Sequence, residues 1–236
     1  MSNIPFFNIK AVIFDMDNLM IDSHSLHMAA QEKILARFGV TIKDPKNRLT
    51  QEEELRFFGM KFIDICGFLV KKYKIEDRVS KEQMNEEFSR LLLTTYEQNI
   101  QMMPGLIELI QACRSRGYIL AIASSSKKVK IDIVLRKFRL KEMFSAVVSG
   151  EDENLPGKPA PDMFLKASGK IGIDPSACLV LEDAKNGVLA AKAAGMYCIG
   201  VHNKYTLKRV GVKQDLSKAD VQMESLLEVQ DMFENI

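Results

Sequence analysis

Cysteine is scarce in this 236-residue chain, and its four positions, Cys66, Cys113, Cys178 and Cys198, are widely spaced with no CxxC pair. That spacing excludes a thiolate metal site, and a disulfide framework is not expected in a chain of this size. Buried, reduced thiols are the expectation. No apolar run approaches the roughly 20 residues that a membrane-spanning helix needs. The first residues lack the basic region, long apolar run and small-residue cleavage site of an export signal, so a soluble, cytoplasmic protein is expected. Charge of one sign is not concentrated either. The 33 Lys and Arg and 31 Asp and Glu are interspersed and leave a formal net charge of +2. A nucleic-acid footprint would need a basic face or stripe, so no nucleic-acid partner is expected, and no membrane partner. Internal repeats and low-complexity segments are absent.

What is present alternates. Short apolar runs, Ala11–Phe14, Ile119–Ala123, Ala146–Val148, Cys178–Leu181 and Cys198–Val201, are the near-continuous kind expected of strands covered on both faces. Helical patterns lie between them, for example Leu106–Arg116, Lys130–Phe138, Pro161–Ile171 and Gly187–Ala194. Repeated strand, helix, strand means parallel strands with crossover helices, an open α/β sheet. From about Ser23 to Glu97 no strand-like run occurs, only amphipathic helical patterns. This stretch is too long for one crossover and reads as an all-helical insertion after the first strand. The expected division is a core of residues 1–20 and 99–236 with a helical cap of residues 21–98.

In an open parallel sheet, ligands bind beyond the carboxyl ends of the strands. Asp15 and Asp17 follow the first apolar run, and Ser124, Ser125 and Ser126 follow the second. Gly157-Lys158-Pro159 comes after the third, and Glu182 and Asp183 after the fourth. Acids gathered at one edge repel one another unless a divalent cation sits among them. Oxygen-only ligands point to Mg²⁺ rather than zinc or copper. Lys158 and the Ser124 hydroxyl suit a phosphoryl group, whose oxygens take charge-assisted hydrogen bonds. The serines also precede a helix, whose first amides favour an anion. A carboxylate facing phosphorus can act as nucleophile, and a second acid two residues on can move protons for the leaving group and then for water.

These four segments resemble the four signatures of the haloacid dehalogenase superfamily, in family order and across almost the whole chain. Phe14-Asp15-Met16-Asp17 is similar to the first, Ala121–Ser124 to the second, Gly157–Asp162 to the third, and Leu181–Gly187 to the fourth. The resemblance implies a Rossmann-like core with a helical cap inserted after the first strand. It implies Asp15 as nucleophile and Asp17 as acid and base. Ser124, Ser125 and Lys158 are the implied phosphate-binding residues. Asp15, Asp17 through its backbone carbonyl, and Asp183 would bind Mg²⁺, with Glu182 direct or through water. Where the family usually has Gly, this chain has Asn18, the residue that best tolerates positive φ after Gly, so the turn is expected to survive.

Within the superfamily, Asp17 argues against the dehalogenase branch. The motifs are most like those of small-metabolite phosphatases and β-phosphoglucomutase. Against the mutase, aligning Gly59-Met60-Lys61 with its cap segment puts Phe62 where the mutase has an arginine. Gln31 stands where the mutase has a tryptophan. The expectation is therefore a monomeric, Mg²⁺-dependent phosphatase of a small phosphorylated metabolite, a sugar phosphate by preference. A phosphosugar mutase is the alternative, and a non-catalytic phospholigand-binding protein the remote one. His27, near the start of the cap, reads equally as a cavity-lining, substrate-binding residue and as a helix-surface residue.

Overall fold

The structure is a computed structural model that describes residues 5–57, 62–152, 155–203 and 214–235. Six parallel strands form one sheet in the order β3-β2-β1-β4-β5-β6. They are β1 (Ala11–Phe14), β2 (Ile119–Ser124), β3 (Ala146–Ser149), β4 (Cys178–Glu182), β5 (Tyr197–Val201) and β6 (Val221–Met223). β1 lies at the centre, and every one of its side chains is fully buried. That burial is why the run reads as continuously apolar rather than alternating. The register aligns Phe14 with Ile122 of β2 and with Leu181 of β4, so all three strands reach the same edge at the same level. The strand order reverses direction beside β1, between β2 and β4, and this is where an open sheet leaves a crevice.

The helices joining these strands are α5 (Leu106–Ser115), α6 (Lys128–Lys137), α7 (Asp162–Ile171) and α8 (Lys185–Ala193), with α9 (Leu226–Glu234) after β6. One layer of the core packs alanines and small residues of the strands, such as Ala121, Ala123 and Val180, against Met163, Phe164 and Ala167 of α7 and Ala190 and Ala191 of α8. The open parallel α/β sheet read from the sequence is the observed fold class.

By its contacts the chain divides into two compact units, residues 1–22 with 101–236, and residues 23–100. The first holds the sheet. The second contains α1 (Ser23–Arg37), α2 (Gln51–Phe57), α3 (Phe62–Lys72) and α4 (Lys81–Asn99), and its described residues include no strand. Ser80 starts α4 with a capping box, its side chain accepting from Gln83 N while the Gln83 side chain accepts from Ser80 N. Within the sheet unit the outgoing and returning segments are stitched together: Asp22 N donates to the Gln101 carbonyl at 3.0 Å and Met103 N to the Met20 carbonyl at 2.9 Å. Among the described residues no helix is long and apolar enough to cross a membrane.

Candidate active site

The end of β1 explains how two acids can follow a buried strand. Asp15 N continues the ladder by donating to the Leu181 carbonyl at 3.0 Å, which sets its carboxylate beside β4. Asp15, Glu182 and Asp183 are each buried, and one carboxylate oxygen of each lies within 4.8 Å of the others. Lys158 joins two of them, donating from Nζ to Asp15 Oδ1 and to Glu182 Oε1, both at 2.6 Å, and to the Ala123 carbonyl at 3.3 Å. Its ammonium also sits 4.9 Å from the centre of the Phe164 ring. Glu182 is fixed at its other oxygen, which accepts from Ala184 N at 2.9 Å.

One ammonium does not balance three buried acids. Burial, reinforced by the Glu182 and Asp17 charges, pushes the Asp15 carboxyl up to about 8 in spite of Lys158. Asp183 is raised well above the usual carboxylate range, again by burial first and then by Glu182 and Asp15. Burial works against the Lys158 charge too, but the two carboxylates it touches outweigh this and hold its proton more firmly than usual. Two carboxylates this close repel by about 3–4 kcal/mol at an effective dielectric of about 20. A dication among these oxygens would relieve that repulsion. The donor set, all oxygen with no histidine or cysteine, suits Mg²⁺.

The Asp17 side chain points elsewhere. Ser126 Oγ donates to Asp17 Oδ2 at 2.5 Å, Ser124 Oγ lies 3.5 Å from the same oxygen, and Lys130 Nζ is 3.9 Å from Oδ1. Ser124 is fully buried and accepts from Ser126 N at 3.1 Å. Ser125, read from the sequence with its neighbours, has an exposed side chain, and its carbonyl lies under Gly150, where an added Cβ would come within 2.4 Å of it. The first amide of α6 does not wait for a substrate anion: Lys128 N donates to Glu151 Oε2 at 3.0 Å. Sequence reasoning placed Ser126 at this edge with its neighbours but gave it no role at the site, and it did not single out Lys130.

Asn18 adopts φ 61°, the left-handed turn expected of it, and Asn203 Nδ2 donates to its carbonyl at 2.6 Å. His27 belongs to the helical unit, half-buried, with its ring centre 6.1 Å from that of Phe62 and 6.2 Å from that of Tyr96. Gly59, Met60 and Lys61, used above against a mutase, lie outside the described residues. All four cysteines are buried and unpaired.

Comparison with known proteins gives the same family as the four motifs. A family model for haloacid dehalogenase-like hydrolases matches residues 12–201. Hexitol phosphatase B of Escherichia coli (strain K12) is 34% identical over 194 residues, 82% of this chain and 83% of that protein. (DL)-glycerol-3-phosphatase 2 of Arabidopsis thaliana is 33% identical over 201 residues, 82% of this chain and 80% of that one. The crystal structure of CbbY from Rhodobacter sphaeroides in complex with phosphate matches with a TM-score of 0.73 over 94% of this chain and 96% of that one. At 23% identity this is a likeness of fold. With a family model spanning most of its length and relatives above 30% identity over four fifths of it, this chain belongs to the haloacid dehalogenase-like hydrolase family.

Proposed function

We propose that this hydrolase, a phosphatase by its family and relatives, removes phosphate from small sugar or polyol phosphates through an aspartyl-phosphate on Asp15, with Mg²⁺ as cofactor. The observation that carries the reading is the buried group of Asp15, Glu182 and Asp183 clasped by Lys158, with a second acid, Asp17, two residues from the first. The relatives named above are a hexitol phosphatase and a glycerol phosphatase, which supports a polyol or sugar phosphate as substrate class.

In this reading Asp15 attacks phosphorus, an Asp15 oxygen–phosphorus bond forms, and the bond from phosphorus to the ester oxygen breaks. Asp17 gives the departing alkoxide its proton. Asp17 then takes a proton from water, which attacks phosphorus and frees Asp15 and inorganic phosphate. Ser124, Ser125 and Lys158 hold the phosphoryl oxygens. Asp15, Asp183, the Asp17 carbonyl and Glu182, direct or through water, would hold Mg²⁺, which supplies positive charge to the phosphoryl group. The helical unit is proposed as a cap with His27 among its substrate-facing residues, hinged at Met20–Ser23 and Gln98–Gly105. The enzyme is read as a cytoplasmic monomer with no nucleic-acid or membrane partner.

The test is phosphate release from a panel of hexitol, glycerol, sugar and nucleotide phosphates, with Mg²⁺ and with chelator, beside Asp15→Asn. Mg²⁺-dependent release, strongest for polyol or sugar phosphates and lost in the variant, is expected. Isomerised product that forms only when a bisphosphate is added, with no free phosphate, would replace this reading with the mutase.

A further inference from the structure

Asp17 is asked to give a proton and then take one, and the efficiency of both depends on where its carboxylate points. Two side chains outside the four motif positions set that direction. Ser126 is buried, and its backbone is clamped: its carbonyl accepts from Ser149 Oγ at 2.8 Å and from Gly150 N at 3.2 Å. Its hydroxyl has one proton to give. Lys130, on the first turn of α6 with its side chain only 12% exposed, donates from Nζ to Ser126 Oγ at 3.2 Å. An ammonium has protons to donate and no lone pair to accept with, so the Ser126 proton cannot point back at Lys130. It goes to Asp17 Oδ2, 2.5 Å away. The ammonium itself stands 3.9 Å from Oδ1, so the two carboxylate oxygens have different partners. The carboxylate is thereby held in one orientation by a chain of two donors. Ser126 and Lys130 are four residues apart, which lets the last residues of the loop and the first helical turn act as one piece.

We infer that Ser126 and Lys130 are positioning residues for Asp17, which fix its carboxylate for the proton transfers of the phosphatase reaction. The inference rests on the phosphatase reading above, with Asp15 phosphorylated and Asp17 serving the proton steps. Ser126 and Lys130 then matter most to the step in which Asp17 activates water. Removing either slows breakdown of the phosphorylated enzyme more than its formation, because an ester with a good leaving group needs no proton to depart.

The experiment is rapid-quench trapping of the acid-stable phosphoenzyme, with para-nitrophenyl phosphate and Mg²⁺, for wild type, Ser126→Ala, Ser126→Thr and Lys130→Met. Thermal unfolding is recorded for each as a check on folding. A well-placed acid or base contributes about 10²–10⁴-fold, so loss of its orientation is expected to cost about tenfold or more in kcat. Ser126→Ala and Lys130→Met should lose that factor in kcat with kcat/KM nearly unchanged, so that KM falls with kcat, and both should carry a larger phosphorylated fraction at steady state. Ser126→Thr keeps the hydroxyl and should recover most of the rate. Unchanged kcat in Ser126→Ala, or a lower kcat with no added phosphoenzyme, overturns the inference. A wild type that neither forms phosphoenzyme nor releases phosphate overturns the phosphatase reading beneath it, which separates the two failures.

Discussion

Gly187 shows how little room single residues have around the acids. A Cβ built there would lie 1.7 Å from Glu182 Oε1. Glu182 cannot swing aside cheaply, because its two oxygens are held by Lys158 and by the Ala184 amide. Gly187→Ala is therefore expected to push Glu182 off Lys158, to cost about 1–3 kcal/mol as other overpacked sites do, and to lose most turnover. Thermal unfolding together with phosphate release checks this; a variant unchanged in both would show that the carboxylate has another place to go. The acids and Lys158 were legible in the sequence, because each follows an apolar run and carries a charge that burial must explain. Ser126 and Lys130 were not. A serine and a lysine at a helix start are common on any surface, and only the hydroxyl's approach to Asp17 distinguishes them. Asn203, which steadies the left-handed Asn18, is 185 residues from it in sequence, and no local pattern connects the two.

At the scale of elements, the strands run on past their apolar residues. β2, β3 and β4 end at Ser124, Ser149 and Glu182, whereas the apolar runs stop one residue earlier. Each polar end is buried and carries hydrogen bonds, which is how a strand can finish in a polar residue without the cost of an unsatisfied one. The sequence did not reveal β6, whose three residues pair with β5 and are at least partly exposed, or α9 beyond it. Three residues are too few for a period to show. The start of α6 carries a prediction of its own. Its first amide donates to Glu151, so Glu151→Ala should remove about 1 kcal/mol, the usual worth of a helix cap, measured as a lower melting temperature. An unchanged melting temperature would mean that water replaces the carboxylate without loss.

At the scale of the molecule, the parallel sheet and the long helical stretch after β1 were both readable, because alternation of short apolar runs with helical patterns survives in a single sequence. The substrate was not, since polar side chains that select an ester carry no spacing rule. The sheet unit also has an electrostatic consequence for stability. Asp15 titrates near 4 in an unfolded chain, while burial and its acidic neighbours raise it to about 8 when folded. Between those values, and without a divalent ion, the folded state binds more protons than the unfolded state, so stability falls as pH rises through that window. Relative to Asp15→Asn, metal-free wild type should thus lose melting temperature from about pH 5 to about pH 8, and Mg²⁺ should restore it. A difference that stays flat with pH would mean that Asp15 is not held at that raised value.

The central claim is that Asp15 receives the phosphoryl group. Its most direct test is mass spectrometry of Asp17→Asn, quenched in acid after reaction with para-nitrophenyl phosphate and Mg²⁺ and then digested. The account predicts a phosphoryl increment on the peptide containing Asp15, fragmenting to that residue, and none when Asp15→Asn is added. Phosphate release with no residue modified, or a phosphoryl group found on another side chain, would contradict it.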